Sequence, residues 1–273
     1  MEMHIVVIGD GQLGSEFIRL GATVLSHRQI DIADPSCRLV LRKLQPDVIV
    51  NTAARHAFGA CEEDPAGTYA VNTAALHRLV DEANDMKAKL VQISTNYVFD
   101  GAAGRPYRTG DAPRPLSVYG ASKLAAEGVV LAGAKDGLVV RVSTLFGVRG
   151  PSGKGLNFPD QVVRRARAGE IMHMVADQVT SPTYTHLLAE CILRLIAGER
   201  RGLVHVAASD HCSYLELALA TLDDMGLVTT VIPATTDDVR RPLFAPLHPS
   251  PGCALPPWRE QLRAYLEEKH GLH

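Results

Sequence analysis

The chain has 273 residues, a formal net charge of -2, and 46% hydrophobic against 21% charged residues. That composition suits a globular protein with a substantial core and excludes an extended disordered chain. The balanced charge supplies no positive field for nucleic acid, and no apolar run reaches the roughly 18–20 residues of a membrane helix, so neither partner is expected.

In chain order, β-branched runs alternate with helical stretches. HIVVIG reads as a strand followed by a helix over Gln12–Leu20, and ATVLS as a strand followed by a helix after Asp34-Pro35. DVIVN precedes a helix after Asp64-Pro65, KLVQIS precedes a helix through Tyr119 and Lys123, and LVVRVS closes the series before Leu145. Strand and helix in this order imply parallel βαβ units and an α/β, Rossmann-type doubly wound parallel sheet. Both Asp-Pro pairs suit helix starts, because Asp accepts from free amides and Pro fits the first turn. After Phe146 the Gly/Pro-rich GVRGPSGKGLNFP leads to helices near Gln161–Ala168, Tyr184–Ile196, Tyr214–Met225 and Pro256–His270, with GLVHVA as a strand. The Pro-rich stretch 232–257 reads as loops over a site. The expected division is a dinucleotide-binding domain over 1–148, joined by parts of 175–200, and a smaller C-terminal substrate lobe mainly over 149–273.

Gly9, Gly11 and Gly14 spell GxGxxG between the first strand and its helix, with Gln12 and Leu13 inside the motif. The first glycine permits a tight turn, the second lets backbone approach a pyrophosphate, and the third lets helix and strand pack closely. Where an acidic residue would bind the ribose 2′-hydroxyl, the sequence offers Ser26, His27 and Arg28, which suit a 2′-phosphate. NADPH is therefore the expected cofactor and NADH the second option, with Asp31 and Ile32 flanking the adenine.

YGASK sets Tyr119 and Lys123 four apart on one helix face, one turn from each other. A phenol with a pKa near 10 releases its proton more easily beside an ammonium. In a ketone reduction, negative charge grows on the carbonyl oxygen, Tyr119 protonates it, and Thr95 at the end of QIST hydrogen-bonds it.

The five cysteines (Cys37, Cys61, Cys191, Cys212 and Cys253) form neither a CxxC pair nor a zinc spacing, and the eleven histidines include no HExxH. No metal is expected. Scattered cysteines and an amino terminus that enters a strand without a basic lead point to a cytoplasmic protein. Arg164, Arg165 and Arg167 read as a solvated helix face. GPSGKG does not satisfy a phosphate-loop pattern, since Gly155 follows Lys154, and its glycines are expected to permit a lid motion.

GDGQLG, Asp31-Ile32, PDVIVNTAA, EDPAGTYAVN, STNYVFDG, PLSVYGASK, GKGLNF, DQVTSPTY and GLVHVA together span nearly the whole chain. In them the chain resembles the extended short-chain dehydrogenase/reductases, and among these the dTDP-4-dehydrorhamnose reductase family. The resemblance implies reduction of the 4-keto group of a dTDP-linked deoxyhexulose, a nucleotide-sugar partner and, as in some relatives, a homodimer. It implies Thr95, Tyr119 and Lys123 as catalytic residues, and Ala53, Ala54, Arg55 and Asn72 as cofactor cleft. Asn96, Tyr97, Thr144, Asp177 and Gln178 would face the sugar. Three departures bear on the sugar's identity: Asn96 replaces the family's Asp, Thr144 its usual strand-end aromatic, and Ala245 the serine of its RPxxS motif. The phosphate turn is also one residue tighter than the family's.

Two other readings stay open. An epimerase/reductase would use Cys61 or His56 as an extra acid or base, and a non-catalytic regulatory subunit like that of methionine adenosyltransferase would keep the Tyr/Lys pair. A 4,6-dehydratase is disfavoured, because Asn96 and Tyr97 stand where it needs an acidic pair.

Overall fold

The computed structural model describes residues 3–151 and 155–271. Six parallel strands form the main sheet, in the order Gly202–His205, β5 (Gly137–Val142), β4 (Lys89–Thr95), β3 (Val48–Asn51), β1 (Ile5–Ile8) and β2 (Thr23–Leu25). The winding runs one way from β1 to β2 and the other from β1 through β3 to β5. That reversal opens a crevice at the carboxyl ends of β1 and β3.

The near-continuous apolar strands are explained by cover on both faces. Val7, Val50, Val91 and Ile93 point to a core shared with α1 (Glu16–Arg19) and α8 (Thr185–Ala197). Their strand neighbours Val6, Ile8, Ile49 and Leu90 point to an opposite core with α2 (Cys37–Leu44), α5 (Ala75–Met86) and α6 (Val118–Gly133).

Local chemistry sets the helix starts. Asp64 accepts from the Gly67 amide at 2.9 Å to open α4 (Pro65–Tyr69), which follows α3 (Phe58–Glu63). Asp34 accepts instead from Ser36 at 2.7 Å within a turn, so α2 begins only at Cys37. The helix expected over Gln12–Leu20 is likewise shorter. Amides of Glu16, Phe17 and Ile18 bond three residues back, keeping 11–15 in tight turns and leaving α1 only Glu16–Arg19.

The strand Gly202–His205 and α8 come from the second half of the sequence yet complete the first-half sheet. α7 (Phe158–Arg167), α9 (Tyr214–Asp224) and α10 (Trp258–His270) gather around two further cores. Asn157 caps α7, and a reciprocal Ser213/Glu216 capping box opens α9.

The Pro-rich stretch is more ordered than expected. Val231–Ala234 pairs in parallel with Met172–Val175, and Ala254–Leu255 with Ala207–Ala208. Pro233 is tolerated because its two-stranded sheet leaves that strand one unpaired edge. Among the described residues, no helix is long and apolar enough to cross a membrane, and no cluster of His, Cys, Asp and Glu is arranged to hold a metal.

Candidate active site

A cavity of about 950 Å³ starts at the carboxyl end of β1 and runs along those of β3, β4 and β5. At its origin is the glycine turn. Gly9 has φ +100°, and a Cβ there would stand 2.7 Å from the Thr52 hydroxyl. A Cβ on Gly14 would stand 1.8 Å from the Gly9 carbonyl oxygen, so Gly14 serves close packing and is not itself on the wall. Gly9, Gly11, Gln12 and Leu13 are on the wall, and this cradle fits a dinucleotide's pyrophosphate.

At the end of β2 the expected residues divide. His27, Asp31 and Ile32 line the cavity, but Ser26 and Arg28 do not. The Gln29 side chain accepts from the Ser26 amide and hydroxyl at 2.9 and 2.8 Å, folding the stretch so that Arg28 is exposed. Asp31 accepts from the Ala33 amide at 2.9 Å.

After β3 the wall is Ala53, Ala54 and Arg55. Asn72 lies behind it, in a π-helical turn over Ala70–Ala74. Its carboxamide accepts from the Arg55 amide at 2.8 Å and donates to the Arg55 carbonyl at 2.9 Å and to Ser122 at 3.0 Å. Asn72 therefore fixes the cleft and does not face it.

Thr95, Tyr119 and Lys123 all lie on this one wall. Thr95 ends β4 and accepts from the Tyr97 amide at 3.2 Å, starting the 3-10 turn Asn96–Val98. α6 begins beside that turn, capped by Ser117, and is held so close that a Cβ on Gly120 would stand 2.2 Å from the Tyr97 carbonyl oxygen. The Tyr97 and Tyr119 rings meet edge to face with centroids 5.9 Å apart. Lys123 Nζ donates to the Ile93 carbonyl at 2.6 Å.

The electrostatics differ from the sequence expectation. Burial pushes the Tyr119 phenol up to about 12, with the Thr95 hydroxyl opposing that shift. Burial brings Lys123 down to about 8, with Glu127 holding it up. Desolvation, and not the ammonium, dominates the phenol, so at neutral pH Tyr119 keeps its proton. A protonated phenol facing the cavity is a general acid for oxyanion formation.

The sugar-facing set divides. Asn96, Tyr97, Thr144 and Gln178 line the cavity, whereas Asp177 does not. Its carboxylate accepts from the Thr236 amide at 2.9 and 3.1 Å and anchors that loop. The Asn96 amide donates to the Ala245 carbonyl at 3.0 Å. Thr144 hydrogen-bonds the hydroxyls of Thr180 and Tyr214, both at 2.9 Å. A second cavity of about 430 Å³ shares Phe158, Gln161, Gln178, Tyr214 and Arg241 with the first.

Arg241, Tyr214 and Phe58 are site residues that sequence reasoning missed. Arg241 reaches from the Pro-rich stretch to lie 4.1 Å over the Phe58 ring, with an amino group 3.4 Å from the Tyr97 hydroxyl. Its sequence signal is Arg241-Pro242 of the RPxxS motif, which gives no hint of where the guanidinium reaches. Cys61 is fully buried and absent from the wall, while His56 lies on it, exposed. Ser152, Gly153 and Lys154, part of the segment expected to act as a lid, lie outside the described residues.

A glycine turn opening a doubly wound sheet, with Thr, Tyr and Lys on the β4–α6 wall, is the arrangement of an extended short-chain dehydrogenase/reductase. Within that class the chain belongs to the RmlD substrate binding domain family, whose profile matches residues 3–270. It is 32% identical to the spore coat polysaccharide biosynthesis protein SpsK of Bacillus subtilis, over 98% of both chains. It is also 32% identical to a dTDP-4-dehydrorhamnose reductase of Mycolicibacterium smegmatis, over 96% of this chain and 85% of that one. The crystal structure of a dTDP-4-dehydrorhamnose reductase from Bacillus anthracis in complex with NADP superposes with a TM-score of 0.91 at 28% identity, covering 98% of this chain and 99% of that one.

Proposed function

We propose that this chain reduces the 4-keto group of a dTDP-linked 4-keto-6-deoxyhexulose at the expense of NADPH. The observation that carries this reading is the placement of Thr95, Tyr119 and Lys123 on one wall of a cavity that begins at the glycine turn. The family membership and the named activities of its relatives support the same substrate class.

When bound, the nicotinamide dinucleotide supplies the hydride. Gly9, Gly11, Gln12 and Leu13 would hold its pyrophosphate, and Asp31 and Ile32 would lie at its adenosine end. Tyr119 gives its phenolic proton to the carbonyl oxygen as charge develops there, and the Thr95 hydroxyl orients that oxygen. An alkoxide is a stronger base than a phenolate, so a phenol near 12 still donates. Lys123 carries positive charge beneath the pair and favours the phenolate once the proton has left. The second cavity, reached past Arg241, would take the nucleotide, whose diphosphate the guanidinium suits.

The test is turnover by the purified protein of a panel of dTDP- and GDP-linked 4-keto-6-deoxy sugars with NADPH or NADH, with product stereochemistry identified. Reduction of a dTDP-linked member at C4 is expected. Dinucleotide binding without turnover of any member would instead favour the regulatory-subunit reading.

A further inference from the structure

Beside Lys123 lies a buried ionic group that does not line the cavity. Glu127 stands one helical turn further along α6. Its carboxylate accepts from the Ser94 hydroxyl at 2.5 Å and from Arg141 Nε and Nη2 at 2.8 and 2.6 Å. Arg141, on β5, has its guanidinium 5.0 Å from the Phe99 ring and its Nη1 3.3 Å from His205 Nε2. His205 Nδ1 lies 3.1 Å from the Tyr107 carbonyl, so the ring donates there and accepts from Arg141. Glu127, Arg141 and His205 are 2%, 3% and 0% exposed.

A buried ion pair is seldom retained for stability alone, because desolvation offsets the attraction. This one touches the site at two places: Ser94 immediately precedes Thr95, and Glu127 follows Lys123 by one turn on the same helix. We propose that Glu127 is a positioning residue for the reaction, sustaining the charge of Lys123 and, through Ser94, fixing the strand end that presents Thr95. The inference rests on the reductase reading above.

Of the titratable groups around this wall, Glu127 acts on Lys123 itself, Tyr97 and Cys61 act on Tyr119, and Arg141 is engaged by Glu127. Burial lowers Lys123 to about 8, and among the charged groups it is Glu127 that raises it. Burial, followed by the Arg141 charge, brings His205 down to about 4, so this imidazole is neutral and does not compete for the carboxylate.

The test is the pH profile of kcat/KM for Glu127→Gln. With the carboxylate gone, burial and an unpaired Arg141 act on Lys123 without opposition. The basic limb should move down by about one pH unit, from about 8, giving a deficit of about fivefold near pH 8 that all but vanishes near pH 6. Glu127→Gln combined with Arg141→Gln removes both charges and keeps the test available if the single variant folds poorly, and a smaller downward shift is expected of it. A deficit equal at every pH, or none, would overturn the inference. Should the wild type turn nothing over, the reductase reading fails, and 15N-lysine NMR titration of Lys123 in wild type and variant still decides: an unchanged midpoint rejects the role given to Glu127.

Discussion

Tyr119 and Gly14 show how differently two residues of one site constrain it. Burial holds the Tyr119 phenol near 12, which keeps an acid in its protonated form against the cavity. Gly14 touches nothing in the cavity, but a Cβ there would stand 1.8 Å from the Gly9 carbonyl oxygen, a backbone atom that cannot rotate aside. Gly14→Ala should therefore push α1 away from β1, destabilise the protein by at least about 1–3 kcal/mol and weaken dinucleotide affinity. Thermal unfolding and fluorescence titration with NADPH would show it, and wild-type values for both would refute the packing role. Thr95, Tyr119 and Lys123 were legible because each lies within a contiguous motif. Asn72 and Asp177 were read as cleft residues because position in a motif does not reveal which way an amide or carboxylate turns. Both are drawn away from the cavity by backbone groups, Arg55 for one and Thr236 for the other.

Among the elements, β1 to β5 and their helices followed from the sequence because parallel strands covered on both faces must be apolar on both. The helix after the glycine turn did not, since winding through three-back bonds leaves the hydrophobic periodicity unchanged. The strand Val231–Ala234 was hidden because Pro233 argues against a strand until a one-sided partner is known. The strand Gly202–His205 adds a pH response. His205 is held down to about 4 by burial and then by the charge of Arg141. An unfolded histidine titrates near 6.5. Between those values the unfolded chain binds the extra proton, so this contribution is fully present above about pH 6.5 and is lost as pH falls towards 4. Its size is on the order of 3 kcal/mol. His205→Gln should flatten the stability profile between pH 6.5 and 4 in urea unfolding, and an unchanged slope there would contradict the assignment.

Across the whole molecule, the first-half sheet meets the later elements at the joined cavities. Arg241 crosses that junction, lying on Phe58 and reaching Tyr97. Tyr97 was read as facing the sugar and Arg241 as part of a motif, but their meeting with Phe58 was not readable, because residues 58, 97 and 241 share no local pattern and meet only once the later elements are docked. Arg241→Ala should raise the KM for the sugar nucleotide by about tenfold, roughly 1.4 kcal/mol, with NADPH affinity unchanged. Equal loss of both affinities would mean that the residue holds the fold and not the substrate. The central claim is that the buried phenol donates the proton during reduction. It is met most directly by comparing wild type with Tyr119→Phe in a single turnover of NADPH and a dTDP-linked 4-keto-6-deoxy sugar, with cofactor affinity measured alongside. The account predicts a rate about 10²–10⁴ lower at nearly the same NADPH affinity. A Phe variant that reduces the sugar at the wild-type rate would contradict it.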